Sequence, residues 1–186
     1  SDQFLSLRIV KTDWELDKIR RAQDLANAGC EAMFDTVRSG VPEIEAVEAV
    51  QQAYYRAYLD DHSAFDIGTA NELGQYGFSS VLSGPHALEP HSLSSSRRIE
   101  SGDSVVGIAL PSIQGYICEE ERTFLVGDVD AEVADAMETQ VDIRERVMDR
   151  VGPGESVAEI DAWTFEQIER AGLADNVQHR TGHGEG

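Results

Sequence analysis

Three consecutive carboxylates, Glu119, Glu120 and Glu121, stand inside the stretch GYICEEERTF (Gly115 to Phe124). The segment around them, Ser104 to Gly127, is rich in Val, Ile, Tyr, Phe and Thr and punctuated by Gly and Pro, which is the composition of paired strands. Leaving a charge unpaired inside such a segment is costly, so the triplet calls for a use. Alternate side chains of a strand share a face. Ile117, Glu119, Glu121 and Thr123 are therefore expected to point one way, and Cys118, Glu120 and Arg122 the other. Two carboxylates one strand repeat apart either raise a pKa or hold a cation. A planar guanidinium is the natural guest, because its forked donors match carboxylate geometry. Glu120, on the other face, is expected to pair at the surface or with a neighbouring arginine. A second feature with chemical potential is the run HRTGHG (His179 to Gly184), in which a Gly-flanked imidazole begins a strand or tight turn.

These groups need a scaffold. Thr12 or Asp13 can cap a helix reaching to about Arg38, with Leu16, Ile19, Ala22, Leu25, Ala26 and Met33 at helical spacing. Gly40 ends it, and Pro42 opens a second helix, about Glu43 to Leu59, with Ile44, Val47, Val50, Tyr54 and Tyr58 on one face. A strand, Phe78 to Gly84, then a loop, PHALEPHSLSSSRRIESGD, lead to the strand-rich segment. Helices are expected again from Asp130 to Val151 and from Ser156 to Ala171, joined by a turn at Gly152 to Gly154. The junctions RSGVPEIEAVEAV and RVGPGESVAEIDAW are alike, so the chain reads as a weak internal duplication of a helix pair followed by strands.

Composition narrows the partners. A chain of 186 residues with 41% hydrophobic content can bury one substantial core, which makes one domain, or most of one, the expectation. The formal net charge is -20, and only two of the 15 basic residues, Lys11 and Lys18, are lysines. Such a surface repels nucleic acid and anionic lipid, and it suits a cytoplasm with molar salt, where screening weakens self-repulsion. A merely acidic protein is the alternative. No signal peptide and no bilayer-spanning apolar run is present in these residues, so a cytoplasmic location is expected. Cys30 and Cys118 have no metal-ligand spacing and read as reduced packing cysteines.

The motifs occur in a telling order: a helix pair, a Ser-Gly turn (Ser83, Gly84) with a histidine at His91, a strand opened by Gly102 and Asp103, GY and RTF in one hairpin, a second helix pair, and HRTGHG. In this order they resemble the catalytic domain of the pita-bread family, which includes methionine aminopeptidase, Xaa-Pro aminopeptidase, prolidase and creatinase. The resemblance runs from about Leu7 to Gly186. It implies an α+β fold with pseudo-twofold helix pairs on a curved, mainly antiparallel sheet, incomplete at the C-terminus. Residues 1–11 would be a tail or linker from an amino-terminal domain, residues 12–186 a partial catalytic domain, and the chain a fragment inactive by itself. It further implies a homodimer for the full-length protein.

Peptidase members hold two metal ions with two Asp, one His and two Glu. By position the first Asp is replaced here by Ile108, the second by Glu119, and the His is His183. An aliphatic side chain has no lone pair to offer a divalent ion. The departures resemble creatinase, which works without metal. Its hairpin run corresponds to Leu110, Pro111, Ser112 and Ile113, then Gly115 and Tyr116, then Glu120 to Thr123, with Ile117 in place of a tyrosine. Its catalytic histidine and the glutamate of its ERT run, thirty residues apart, correspond to His91 and Glu121. An imidazole with a pKa near neutrality can both take a proton from water and give one to a departing amine.

The expectation is therefore a creatinase-like, metal-independent hydrolase of a C–N bond in a small guanidino substrate. His91 would be the proton shuttle and Glu121 the cation anchor, with Glu119, Tyr116, His179 and His183 binding substrate and no cofactor. The alternatives are an Xaa-Pro metallopeptidase with an altered site that uses Mn, Co or Zn, and a binding module of the same fold that has lost catalysis. His86 and His62 are read as structural or incidental.

Overall fold

A computed structural model of the chain describes residues 7–67, 78–89 and 92–184. It divides into two compact units, Ser1–Val129 and Asp130–Gly184. Residues 1–6 of the expected tail, and His91, lie outside the described residues.

The first helix, α1 (Asp13–Thr36), starts where the sequence says it should. Thr12 Oγ1 accepts the Glu15 amide, and the Glu15 carboxylate reaches back to the Thr12 amide at 2.7 Å, a reciprocal cap. Its inner face carries Ala22, Leu25, Ala26, Gly29 and Met33. Lys18 is buried there too, whereas Leu16 and Ile19 are half-buried. The Lys18 ammonium lies 2.6 Å from Asp17 and 4.1 Å from the centre of the Phe65 ring, partners that make its burial tolerable. Helix α2 (Glu43–Ala57) follows, and a π-turn at Tyr58–His62 extends it. Gly29 lets the two helices cross closely: a Cβ there would sit 2.3 Å from the Tyr54 ring. Ala46, Val47, Val50 and Tyr54 are the buried face, while Ile44, expected in the core, is about half exposed.

Strands β1 (Phe78–Ser83), β2 (Ser104–Leu110) and β5 (Glu120–Leu125) form an antiparallel sheet in the order β1, β2, β5. Val105, Gly107 and Ala109 of β2 face α1, and Met33 fills the space a side chain at Gly107 would need. The core therefore lies between the helix pair and one sheet face, with Leu25, Met33, Val50 and Tyr54 against Val81, Val105, Ala109 and Ile113.

The run from Gly115 to Phe124 is not one strand. It divides into β4 (Tyr116–Ile117), paired with β3 (Ser112–Ile113), and β5, with Cys118 and Glu119 between. Pro111 is the cause. It has no amide hydrogen to continue the ladder beyond Ala109 and Glu120, and its carbonyl instead accepts the Cys118 amide. The β3–β4 turn is made by Gln114 and Gly115, both at positive φ, the conformation that two-residue hairpins need.

In the second unit, α3 (Ala131–Met148) and α4 (Val157–Arg170) form the expected helix pair. Ser156 caps α4 by accepting the Glu159 amide. Ile143, Val147 and Ile168 make its small core, edged by Trp163, over which the Arg150 guanidinium stacks at 4.0 Å.

Candidate active site

Of the groups singled out in the sequence, the sheet face turned away from α1 carries Ile108 and Glu121. Ser80, Ile108 and Glu121 form a cross-strand row on that face, with Val106 and Thr123 paired one repeat along. Ile108 is half-buried and Glu121 exposed. Thus the residue at the first aspartate position of the resembled peptidases is an aliphatic directly opposite a carboxylate.

Glu120 lies on the helix side, as strand alternation requires. Its carboxylate pairs with Arg122 and accepts from Gln23 of α1 at 3.2 Å, and Cys118 reaches the same Gln23 at 2.9 Å. The expectation of a surface pair is corrected in one respect: the Glu120 side chain is only 10% exposed, because α1 covers it. Glu119 sits half-buried in the break between the strands. The Tyr116 hydroxyl donates to Glu15 at 3.0 Å and its ring packs edge-on against Trp14, so Tyr116 is engaged at the start of α1.

The cysteines come together on this layer in spite of their separation in sequence. Both pack against the core, no disulfide joins them, and burial pushes the Cys30 thiol up to about 11.

The loop after the Ser-Gly turn begins as a short 3-10 helix, Gly84–Leu88, that holds His86. His86 is not incidental: its Nδ1 lies 3.1 Å from Glu43, whose carboxylate has no exposed surface. Burial alone would raise the Glu43 pKa, but hydrogen bonds from Ser83, Ser95 and His86 outweigh it and hold the group below the usual glutamate range. Nothing in the sequence marks Glu43 among 35 acidic residues, since its partners lie 40 to 52 positions away. His62, also read as incidental, is buried between Arg21 (3.4 Å) and Asp24 (3.6 Å).

In the second unit, His179 and His183 are exposed and flank Thr181. The Thr181 amide and hydroxyl both donate to Asp161 of α4, at 2.9 and 2.7 Å, which ties the HRTGHG run to that helix and holds the Asp161 carboxyl low.

Known proteins resemble this chain in sequence and in fold. The chain is 30% identical over 187 positions to the probable dipeptidase PepE of Mycobacterium tuberculosis, covering 100% of this chain and 46% of that protein. It is 28% identical over 188 positions to the Xaa-Pro dipeptidase of Pyrococcus furiosus, covering 100% and 49%. Among solved structures, the prolidase from Pyrococcus furiosus matches with a TM-score of 0.81 at 25% identity, over 96% of this chain and 49% of that one. The dipeptidase PepE from Mycobacterium ulcerans matches with a TM-score of 0.79 at 29% identity, over 98% and 46%. The chain spans about half the length of the relatives it matches. Helix pairs with an antiparallel sheet, in a partial pita-bread domain, are thus the fold of this chain.

These relatives overturn the creatinase-like reading, because they are dipeptidases and prolidases. Three of the hairpin residues that carried it have local structural duties: Pro111 interrupts a ladder, Gly115 makes a turn, and Glu120 pairs with Arg122, whereas Glu121 is exposed and His91 lies outside the described residues. They report on the hairpin and not on a guanidino substrate. The expectation of chemistry without a metal falls with it, since a model of metallopeptidases accounts for nearly the whole chain. That model spans residues 17–186, taking in both helix pairs, the sheet and the run through His183, and by it the chain belongs to metallopeptidase family M24.

Proposed function

We propose that the intact protein is a metal-dependent dipeptidase that hydrolyses Xaa-Pro dipeptides. The observation carrying this reading is similarity along the whole chain to proteins named dipeptidase and Xaa-Pro dipeptidase.

The donor chemistry fits a divalent ion in part. By sequence position the candidate donors are the Glu119 carboxylate and the His183 imidazole, donor types suited to Mn, Co or Zn. Ile108 offers no lone pair, and among the described residues no group of three or more His, Cys, Asp or Glu gathers that could hold an ion. When bound, such an ion polarises the scissile carbonyl. Glu121, on the open sheet face, anchors the α-ammonium of the dipeptide by a charge-assisted hydrogen bond. His91 takes a proton from the attacking water as its oxygen bonds to the carbonyl carbon, and gives that proton to the proline nitrogen as the C–N bond breaks; the carboxylic acid formed then ionises. By sequence position Tyr116 and His179 are further candidates for binding substrate.

The acidic, lysine-poor composition fits a cytoplasm of high salt, with a small dipeptide rather than nucleic acid or membrane as partner and a second copy of the protein completing a homodimer. No helix among the described residues is long and apolar enough to cross a membrane.

The test is proline release from Ala-Pro by the intact protein, stripped with a chelator and reloaded with Mn, Co or Zn in molar KCl. Activity that returns with metal supports the reading. No proline release with any of the three ions overturns it.

A further inference from the structure

Asp161 stands half-buried in the second turn of α4, the helix that Ser156 caps. Its Oδ1 accepts from the Thr181 amide at 2.9 Å and from the hydroxyl of the same residue at 2.7 Å. The first bond fixes the main chain and the second the side-chain rotamer, so Thr181 is held to the helix at both. Earlier in the same segment, Leu173 and Val177 pack against the core of Ile143, Val147 and Ile168. The run that follows α4 is thus pinned at positions 173, 177 and 181. His179 falls between the last two pins. His183 is separated from the last by Gly182 alone, a reach of about 7 Å between Cα atoms at full extension.

The first unit contains the same device. Glu43, on the second helix of its own pair, uses one oxygen, Oε1, to accept from both the amide (2.8 Å) and the hydroxyl (2.7 Å) of Ser83. Ser83 precedes Gly84 as Thr181 precedes Gly182, and each corner leads at once to a histidine, His86 and His183. The likeness between the two helix junctions therefore extends to what the second helix of each pair does: its carboxylate clamps a hydroxyl-Gly corner beside an imidazole. In the first unit that imidazole lies against the clamping carboxylate, 3.1 Å away, whereas His183 is exposed.

We propose that Asp161 is a positioning residue for metal binding, which holds the HRTGHG run through Thr181 so that the His183 imidazole meets a divalent ion from a fixed backbone. The proposal rests on the dipeptidase reading, which makes His183 a donor. A donor on a slack segment loses conformational freedom when it ligates, and a segment already ordered loses less. Groups that hold a ligand without touching the metal are worth roughly 10- to 100-fold in metal affinity.

The test follows Mn binding to the metal-free intact protein by the electron spin resonance of free Mn, with hydrogen exchange across 179–184 measured on the same samples. The variants are Asp161→Ala, which removes the acceptor, and Asp161→Asn, which keeps an acceptor oxygen and removes the charge. Circular dichroism checks that the helices remain. Asp161→Ala is expected to weaken Mn binding tenfold or more and to speed exchange in 179–184, whereas Asp161→Asn stays within threefold of wild type in affinity and keeps the slow exchange. An Asp161→Ala variant that quickens exchange but binds Mn within twofold of wild type overturns the proposal, since the clamp would then be merely structural. Unchanged exchange in Asp161→Ala overturns it too, and so do equal losses of affinity in the two variants, which would assign the effect to charge. A wild type that takes up none of Mn, Co or Zn overturns the proposal and the dipeptidase reading together. A wild type that binds Mn no better than Asp161→Ala overturns the proposal alone.

Discussion

Ile108 stands directly opposite Glu121 in the β2–β5 ladder, on the sheet face turned away from α1. An aliphatic therefore separates two requirements that a carboxylate at 108 would set against each other: binding a cation and avoiding a like charge across the strands. Ile108→Asp is expected to destabilise the metal-free intact protein by about 1 kcal/mol or more, through a like charge directly across the strands and the loss of a half-buried aliphatic side chain. Millimolar Mn should reverse the loss. Melting curves with and without Mn check this, and an identical loss in both would mean that no ion reaches this face.

The two neighbouring glutamates should separate by readout. Glu120→Gln removes a charge that is largely covered and paired with Arg122, and is expected to cost about 1 kcal/mol in urea unfolding with kcat/KM unchanged. Glu121→Gln, exposed, is expected to leave stability within about 0.5 kcal/mol and to raise KM for Ala-Pro. Reversal of the two effects would mean that the faces are exchanged.

Gly107 gives a packing test. A Cβ at that position would lie 1.8 Å from the Met33 sulfur, so Gly107→Ala must displace the Met33 side chain and is expected to cost about 1–3 kcal/mol. Pairing it with Met33→Ala should recover part of the loss relative to the sum of the single changes. Strict additivity in urea unfolding would contradict the contact.

Acid should act through the loop clamp. Burial raises the Glu43 and Asp103 carboxyls, but hydrogen bonds from Ser83 and Ser95 to the first, and from Arg97 to the second, bring both below their ordinary values of 4.5 and 3.8. Groups with depressed folded pKa values contribute stability that is present above those ordinary values and is lost as pH falls through the lower, folded ones. Urea unfolding from pH 6 to pH 3 is expected to show stability falling from about 4.5 downward, with a shallower fall in Glu43→Gln. A parallel fall in the variant would remove Glu43 from the account.

Salt tests the acidic surface. With a net charge of -20, the melting temperature of the intact protein is expected to rise from low to molar KCl as repulsion is screened. A flat or falling curve would remove the high-salt reading and leave the fold untouched.

By itself the sequence determined what depends on neighbours within a turn or two. Thr12, Pro42 and Ser156 set three helix starts, because each is closed by contacts three or four residues apart. The ordered motifs were enough for the family's fold. They were not enough for its chemistry, because Pro111 and Gly115, which resemble creatinase, serve ladder and turn geometry in this chain.

Only the tertiary structure decided which carboxylates are buried and what they hold. Glu120 is covered because α1, 97 residues earlier at Gln23, lies over it. Glu43 becomes a hub because β1 and the segment near Ser95 converge on it from 40 and 52 residues away. A carboxylate's role follows from the donors brought to it through space, and chain order near a glutamate carries no record of donors that arrive from distant strands.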